Sequence, residues 1–206
     1  MADFGTTYAT LDEAKSYILK EVADVDDSAR DLRIQSALNA ATSAVDNYCG
    51  RQFNRSEEAT AREYIPTSSR YLAVDDFWTK DGLIVQSGHP SWGWGTPWSI
   101  GEYVLEPLNG VANGVPGWPF RRFVMRSYGP QMFCDETVRV TAKWGWESVP
   151  APVKQATLIM TAELFKIEDA PLGVEGFKDF GVHKVQQVPQ VKKMLCDYQI
   201  NKVLVA

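Results

Sequence analysis

Residues that could support catalysis or bind a metal are few and widely separated in this sequence. The two histidines, His89 and His183, lie in separate glycine-rich segments, and neither has the HExxH spacing of a zinc site. The three cysteines, Cys49, Cys134 and Cys196, form no CxxC pair, and their odd number argues against a disulfide framework. We therefore expect free, mostly buried thiols and no cofactor or metal ion.

The usual signatures of an enzyme are also missing. The sequence has no GxSxG elbow, P-loop or GxGxxG turn, although a catalytic triad assembled from distant residues stays open. A glycosidase needs two carboxylates that face each other, whereas adjacent acidic residues point apart and are typical of solvated loops. Such adjacent pairs occur at Glu57-Glu58, Asp75-Asp76 and Asp135-Glu136. The sequence therefore predicts a protein that is not an enzyme.

The tryptophans are the most distinctive residues of the chain. All seven lie between Trp78 and Trp146, and Trp92, Trp94 and Trp98 share one loop with glycine and proline. Aromatic side chains on such a loop could stack on sugars or bases, or fill pockets of a protein partner. They could equally cover a small β-layer. All three interpretations stay open, and these three tryptophans are candidate interface residues.

The net charge of −5 is concentrated near the beginning of the chain. The first fifty residues hold nine acidic and four basic residues, a difference of −5. No basic stripe of the kind that grips nucleic acid is visible, and Arg121, Arg122 and Arg126 form only a small basic group. An acidic surface can border DNA without holding it, because it repels phosphate. An ordinary solvated helix face is the alternative interpretation.

Hydrophobic periodicity predicts three long helices, over residues 10–23, 28–49 and 152–167. The first begins with a capping box, Thr10 and Glu13. The second has a broad apolar stripe rich in alanine, and Gly50 follows it as a left-handed cap. Pro150 precedes the third helix and Pro152 lies in its first turn, where a missing backbone N–H costs little.

Between the second and third helices, the composition of residues 62–146 is typical of short β-strands joined by turns. Short β-prone runs alternate with turn signals such as Asn109-Gly110 and Asn113-Gly114. After the third helix come a glycine-rich link and a short amphipathic segment at the end of the chain, and such a segment usually docks on its own domain or on a neighbour. Its candidate docking residues are Val188, Val191, Leu195 and Tyr198.

These elements predict an α+β fold. We expect mainly a helical bundle, with a β-rich, Trp- and Gly-rich insertion between the second and third long helices. Residues 1–170 would form a single domain, and residues 171–206 a linker and docking segment. No apolar run approaches the roughly 20 residues that span a bilayer, and the N-terminus lacks the features of a signal peptide. We therefore expect no membrane partner and a location in the cytoplasm where the protein is made.

Three segments, in their order along the chain, resemble the head-tail connector family of long-tailed phages. The first is the opening run from Tyr8 to Tyr17, and the second is the helix end from Ala44 to Phe53, with its Tyr-Cys-Gly-Arg run. The third is the strand from Val138 to Trp146, which leads to a Val-Pro pair and an alanine-rich helix. The closing segment from Val188 is similar to the end of that family too. The sequence departs from that family between Thr67 and Met132, where it is longer and richer in Trp than the simplest members.

The resemblance implies a structural adaptor at the head-tail joint of the virion. Copies would form a ring, typically a dodecamer, beneath the portal protein, with tail or stopper proteins attached below. Double-stranded DNA would pass through the lumen without sequence recognition, and the C-terminal segment would reach the portal. Asp24, Asp26 and Asp27 would then be candidates for an acidic lumen surface. The alternative is a tail-borne module that binds carbohydrate or a cell surface through the Trp loop.

Overall fold

The computed structural model describes residues 7–19, 28–127, 129, 136–168 and 188–200. These residues form two compact units. One, the helical unit, comprises the described residues up to Phe53 and those from Val149 onward. The other, the β unit, comprises the described residues within Asn54–Ser148.

The helical unit has four described helices, α1 (Leu11–Leu19), α2 (Ser28–Cys49), α3 (Ala151–Glu168) and α4 (Pro189–Leu195), followed by a 3-10 turn, Cys196–Tyr198. The predicted capping box starts α1. The Thr10 amide donates to Glu13 Oε2 (2.9 Å) and the Glu13 amide donates to Thr10 Oγ1 (3.2 Å). Residues 20–23, the rest of the predicted first helix, lie outside the described part.

The core of the helical unit lies mainly between α2 and α3, the most extensively packed pair of elements. Alanines on α2 allow close approach of the two helices, beside larger apolar side chains that fill the remaining space. These buried residues include Ile34, Ala37, Leu38, Ala41 and Val45 of α2 and Val153, Ala156 and Met160 of α3. Helix α2 ends at Cys49, and Gly50 follows it as a left-handed cap with a φ of 67°. The Gly50 amide donates to the Asp46 carbonyl (2.8 Å).

The β unit is built from antiparallel strands in two sheets and one small hairpin. One sheet has the order β1-β9-β3-β4, the second has the order β2-β8-β5, and β6 and β7 form the hairpin. The strands are β1 (Thr60–Tyr64), β2 (Tyr71–Phe77), β3 (Ile84–His89), β4 (Gly93–Trp94), β5 (Tyr103–Glu106), β6 (Val111–Ala112), β7 (Val115–Pro116), β8 (Phe120–Met125) and β9 (Thr137–Ala142).

Alternation along β9 sets the inner face of the four-stranded sheet. Val138, Val140 and Ala142 are buried, whereas the residues between them are half-buried. Val140 lies opposite Val85 of β3 and opposite Arg62 of β1. The aromatic part of the core includes Phe77, which stacks on Phe123 at 5.7 Å and meets the ring of Trp144 edge-on at 6.2 Å.

The turn after β9 depends on Gly145. Its φ is 97°, and a Cβ atom there would lie 1.8 Å from the carbonyl oxygen of Asn54. Gly145 forms a bridge with Arg55 and donates its amide to the Asp76 carbonyl (2.7 Å). Only glycine allows this close backbone approach.

The prediction of mainly a helical bundle with an insertion is wrong. The chain is a mixed α/β protein, with helices in one unit and several antiparallel strands in the other. The error has a physical cause, because helices leave a local period in the sequence whereas this β core depends on distant pairs. The Trp144 indole, for example, donates to the carbonyl of Thr60, 84 residues earlier (2.9 Å). The domain boundary at residue 170 stays a prediction, since residues 169–187 lie outside the described part.

Candidate functional site

Two of the three candidate tryptophans of the loop support the β unit itself. Trp98 is half-buried against the core, and its indole donates to Ser87 Oγ (3.1 Å). Trp94 is also half-buried, with the Arg139 guanidinium 4.0 Å from its ring centroid. Cation–π contact and burial account for Trp94 without a partner molecule.

Trp92 differs from both, because 86% of its surface is exposed. Its ring lies 4.6 Å from the ring of His89. The Trp92 amide donates to the His89 carbonyl (3.1 Å), and the Ser91 amide donates to His89 Nδ1 (3.1 Å). We call this turn, residues 89–92, the tryptophan tip. It holds a large aromatic side chain in solvent on an ordered hairpin.

The remaining four tryptophans belong to the packing of the β unit. Trp144 and Trp146 are buried, and the Trp146 indole donates to Asp76 Oδ2 (3.0 Å). Trp78 donates to the Ser56 carbonyl (3.1 Å), and Trp118 lies 5.1 Å from Trp146. The alternative in which the tryptophans cover a β-layer therefore explains six of the seven, and Trp92 is the exception.

A cleft of about 190 Å³ opens on the same unit, and we call it the aromatic cleft. It is lined by Trp78, Asn109, Gly110, Glu147 and the segment 117–120. The β6–β7 hairpin shapes it. This hairpin turns at Asn113-Gly114 with φ of 52° and 77°, as the sequence predicts, and the Trp118 amide donates to the Gly110 carbonyl (3.0 Å).

Both cations and carboxylates lie near the aromatic cleft, and Arg55 is paired with Glu57 (2.8 Å). Lys80 lies 5.2 Å from the Phe120 ring, and Arg55 and Lys143 lie 5.3 Å and 5.7 Å from the Trp78 ring. Glu147 adds one exposed carboxylate. Small-molecule pockets usually start at roughly 300 Å³. A cleft of about 190 Å³ suits one inserted side chain better than a cofactor.

The tryptophan tip and the aromatic cleft lie at opposite ends of the four-stranded sheet. Strands β3 and β9 are antiparallel, with Gly88 opposite Thr137 and Ile84 opposite Thr141. The tip follows the Gly88 end of β3. The cleft residue Glu147 follows the other end, where the Trp78 amide donates to the Lys143 carbonyl (3.2 Å). A strand of this length spans about 17–20 Å.

The C-terminal candidates lie within the helical unit. Val191 and Leu195 are fully buried, and their helix α4 packs on α3. Tyr198 meets the ring of Phe53 edge-on at 5.8 Å, and Val188 is half-buried. The apolar face of this segment is therefore covered by its own unit. Asp24, Asp26 and Asp27, the acidic lumen candidates, lie outside the described residues.

One polar cluster is buried in the helical unit. The Tyr8 hydroxyl donates to Asp46 Oδ1 and accepts the amide of Phe53 (2.9 Å). Burial raises the pKa of Asp46 to about 6, although the Tyr8 hydrogen bond opposes this change. Burial also raises the pKa of the nearby Cys49 thiol to about 12, which makes it a poor nucleophile.

The described residues offer little to a metal ion or to a membrane. They contain no group of three or more His, Cys, Asp or Glu side chains that could hold a metal. None of the described helices is both long and apolar enough to cross a bilayer.

Of the small basic group, Arg122 pairs with Glu106 (3.3 Å) and lies 5.6 Å from the Tyr71 ring. His183 and Cys134 lie outside the described part.

Neither a protein-family model nor a curated protein matches this chain. Its fold occurs in gene transfer agents. A chain of the structure "Neck of empty GTA particle computed with C6 symmetry" has a TM-score of 0.61 and 15% identity, with 100% of this chain and 96% of that chain covered. A chain of "Virion of native gene transfer agent (GTA) particle" has a TM-score of 0.56 and 14% identity, with 98% and 95% covered.

A third similar chain comes from "Neck of native GTA particle computed with C12 symmetry". It has a TM-score of 0.54 and 12% identity, with 100% of this chain and 96% of that chain covered. At these identities the comparison shows a shared fold. Because nearly the whole of both chains is covered, that fold includes the β unit.

Sequence reasoning missed the aromatic cleft and the Tyr8–Asp46 cluster. The signals for the cleft were the two Asn-Gly turns at 109–110 and 113–114, which predict a tight hairpin beside Trp118. Those signals locate a turn but do not tell which side chains it brings together. For the cluster, only the pairing of Tyr8 with Asp46, 38 residues apart, reveals the site.

Proposed function

We propose that this chain is a structural protein of the neck of a tailed phage or phage-like particle. The observation that carries the proposal is the fold shared along the full chain with a neck chain, at a TM-score of 0.61. The ordered resemblance of three segments to head-tail connectors supports it independently, since it comes from residues rather than from shape. The proposed location is the head-tail joint of the virion, and the proposed role is structural rather than enzymatic.

More specifically, we propose an adaptor that forms a closed ring under the portal. A head-to-tail contact that repeats with a closing rotation generates a ring. The similar neck chains come from structures computed with C6 and C12 symmetry, which supports a six-fold or twelve-fold arrangement. A dodecamer joins the portal above to tail or stopper proteins below.

The ring function requires that DNA passes through the lumen without being held. The first fifty residues carry nine acidic and four basic residues, and an acidic wall would repel phosphate and let the duplex slide. Asp24, Asp26 and Asp27 are the proposed contributors to this wall. We propose no base-specific contact.

The proposed contact with the portal involves the C-terminal segment, residues 171–206. Val191 and Leu195 are fully buried, so they could meet the portal only if α4 left α3. Tyr198 and the half-buried Val188 lie nearer the surface of the helical unit. We therefore place the portal contact on these two residues and on the solvent side of α4, which carries Lys192 and Lys193.

One observation favours a second candidate function, a tail module that binds carbohydrate. Trp92 is 86% exposed, and an exposed indole can stack on a sugar ring. Tryptophan fluorescence of the wild type and of Trp92→Phe, titrated with cell-wall fragments, distinguishes the two. An adaptor gives no sugar-dependent signal in either protein, whereas a sugar-binding module loses its signal with Trp92.

The decisive experiment is electron microscopy of particles made with a stop codon in this gene. A neck adaptor predicts DNA-filled or leaking heads without tails, beside free tails. Expression of the chain from a plasmid should restore joined particles. Complete particles that fail to bind cells would contradict the adaptor and support the carbohydrate-binding alternative.

A further inference from the structure

We propose that the tryptophan tip of one copy inserts into the aromatic cleft of the next copy around the ring. This inference rests on the proposed ring and adds its contact residues. The occupant of the cleft is a second copy of this chain, through the indole of Trp92.

The tip has the properties of an interface anchor. Tryptophan is among the residues that contribute most to protein interfaces, and it loses little conformational entropy when it is already held in place. The backbone amide of Trp92 donates a hydrogen bond to the His89 carbonyl (3.1 Å), and its ring lies 4.6 Å from the His89 ring. Nothing in the packing of the described β unit requires an indole at this position, because 86% of it is exposed.

The aromatic cleft matches this occupant in size and charge. Its volume of about 190 Å³ suits a single large side chain. Lys80, Lys143 and Arg55 lie over the Phe120 and Trp78 rings that line the cleft, and Arg55 is paired with Glu57 (2.8 Å). Cations therefore lie close to the cleft, where they can attract the electron-rich face of an indole. The exposed Glu147 carboxylate offers an acceptor for the indole N–H, which usually finds a partner when buried.

The placement of the two features allows a ring. The tip follows the Gly88–Thr137 end of the four-stranded sheet, and the cleft lies beyond the Ile84–Thr141 end. Each copy can therefore donate its tip to one neighbour and receive the tip of the other, which is a heterologous contact. A two-fold dimer would instead exchange both tips between the same two copies, and cross-linking would then stop at the dimer.

The proposed contact buries little surface. One tryptophan buries about 150–250 Å², well below the 1,200–2,000 Å² typical of a stable interface. The tip alone therefore gives a weak pair. It becomes effective when copies are held side by side, as on a particle or in concentrated protein.

Cross-linking of the full-length chain tests the contact. Ser91→Cys lies beside the tip and Ser148→Cys beside the cleft, both at exposed positions, in a background with Cys134→Ser and Cys196→Ser. A short bis-maleimide should give a ladder of dimers, trimers and higher species with the double variant, in concentrated protein and in particles. Each single variant should give no ladder, because tip does not meet tip and cleft does not meet cleft.

Trp92→Ala, placed in the double-cysteine protein, should lower the ladder yield about tenfold or more, as expected for an interface tryptophan. The matched control is Ile100→Ala, another apolar residue of the same loop with 72% exposure, which should leave the ladder unchanged. Both variants should keep the unfolding temperature of the parent, since both side chains are exposed.

The results separate this inference from the proposed function. If the stop codon leaves particles without tails but Trp92→Ala keeps both joined particles and the ladder, the contact is wrong and the adaptor stands. If the ladder forms and depends on Trp92 while stop-codon particles are normal, the contact stands and the adaptor is wrong. A double variant that yields no ladder in either setting also overturns the contact.

Discussion

The Tyr8 hydroxyl donates a hydrogen bond to the half-buried carboxylate of Asp46, 38 residues further along the chain. The same hydroxyl accepts the amide of Phe53 (2.9 Å), and the rings of Tyr8 and Phe53 meet edge-on at 5.6 Å. One side chain thereby connects the segment before α1 to the end of α2 and to the residue where the helical unit gives way to the β unit. Two of the segments that resemble head-tail connectors meet here.

This arrangement predicts a pH-dependent stability that comes from Asp46. Burial raises the pKa of its carboxyl from an ordinary value of 3.8 to about 6. Between about pH 4 and 6 the folded protein binds a proton that the unfolded chain has released, so this group lowers the free energy of unfolding as the pH rises. Asp46→Asn keeps an acceptor for Tyr8 and removes the charge. Relative to wild type, the variant should gain stability from pH 4 to 7, measured by urea unfolding.

The matched control for this titration is Asp81→Asn, at an exposed position of the β unit. Its stability should differ from that of wild type by less than about 0.5 kcal/mol at pH 7, as expected for an exposed substitution. A difference between wild type and Asp46→Asn that is constant from pH 4 to 7 would contradict the assignment to Asp46.

Removal of the Tyr8 hydroxyl should destabilise the helical unit. Tyr8→Phe keeps the edge-on contact with Phe53 but removes the hydroxyl that accepts the Phe53 amide and donates to Asp46. The loss of these hydrogen bonds should cost about 1–3 kcal/mol, which urea unfolding at pH 7 can measure. The control is Tyr17→Phe on α1, whose ring is 37% exposed and which should change stability by less than about 0.5 kcal/mol. Equal effects of the two substitutions would argue against the bridging role.

Much of the helical unit could be predicted from the sequence, because its signals are local. The capping box at Thr10 and Glu13, the alanine-rich stripe of α2 and the cap at Gly50 each involve residues within a few turns. The β-prone stretch over residues 62–146 was visible as well, and β2, β5 and β8 lie within it. The pairing of the strands was not visible, because β1 pairs with β9 across almost the whole unit.

The candidate site shows the same limit. The sequence singled out the Trp92 loop but could not tell Trp92 from Trp94 and Trp98. Burial and contact distinguish them. A guanidinium lies over the Trp94 ring, a serine hydroxyl accepts a hydrogen bond from the Trp98 indole, and Trp92 is exposed to solvent. For the C-terminal segment, amphipathicity indicated that the apolar face docks, and packing on α3 identifies where it docks in this structure.

Three glycine substitutions should separate backbone strain from steric overlap in the β unit. Gly101→Ala should be nearly neutral, because its φ is ordinary and no atom lies within 4 Å of the added Cβ. Gly114→Ala meets open space at a φ of 77° and should cost about 1–2 kcal/mol. Gly145→Ala would place Cβ only 1.8 Å from the Asn54 carbonyl oxygen and should cost more than about 3 kcal/mol or prevent folding. Thermal unfolding of the three purified variants gives the order, and a stable Gly145→Ala protein would contradict the tight turn.

The C-terminal segment, which the sequence predicts to dock on its own domain or on a neighbour, packs on the helical unit. Leu195 is fully buried and α4 packs on α3, so Leu195→Ala should cost about 2–5 kcal/mol of unfolding free energy. Lys193→Ala, on the exposed side of the same helix, is the control and should change stability by less than about 0.5 kcal/mol. Both variants are then tested for co-sedimentation with portal protein. If Leu195→Ala keeps full stability but loses portal binding, Leu195 contacts the portal directly and α4 is an arm rather than part of the core. If it loses stability, and Lys193→Ala alone weakens portal binding, the solvent side of α4 forms the contact.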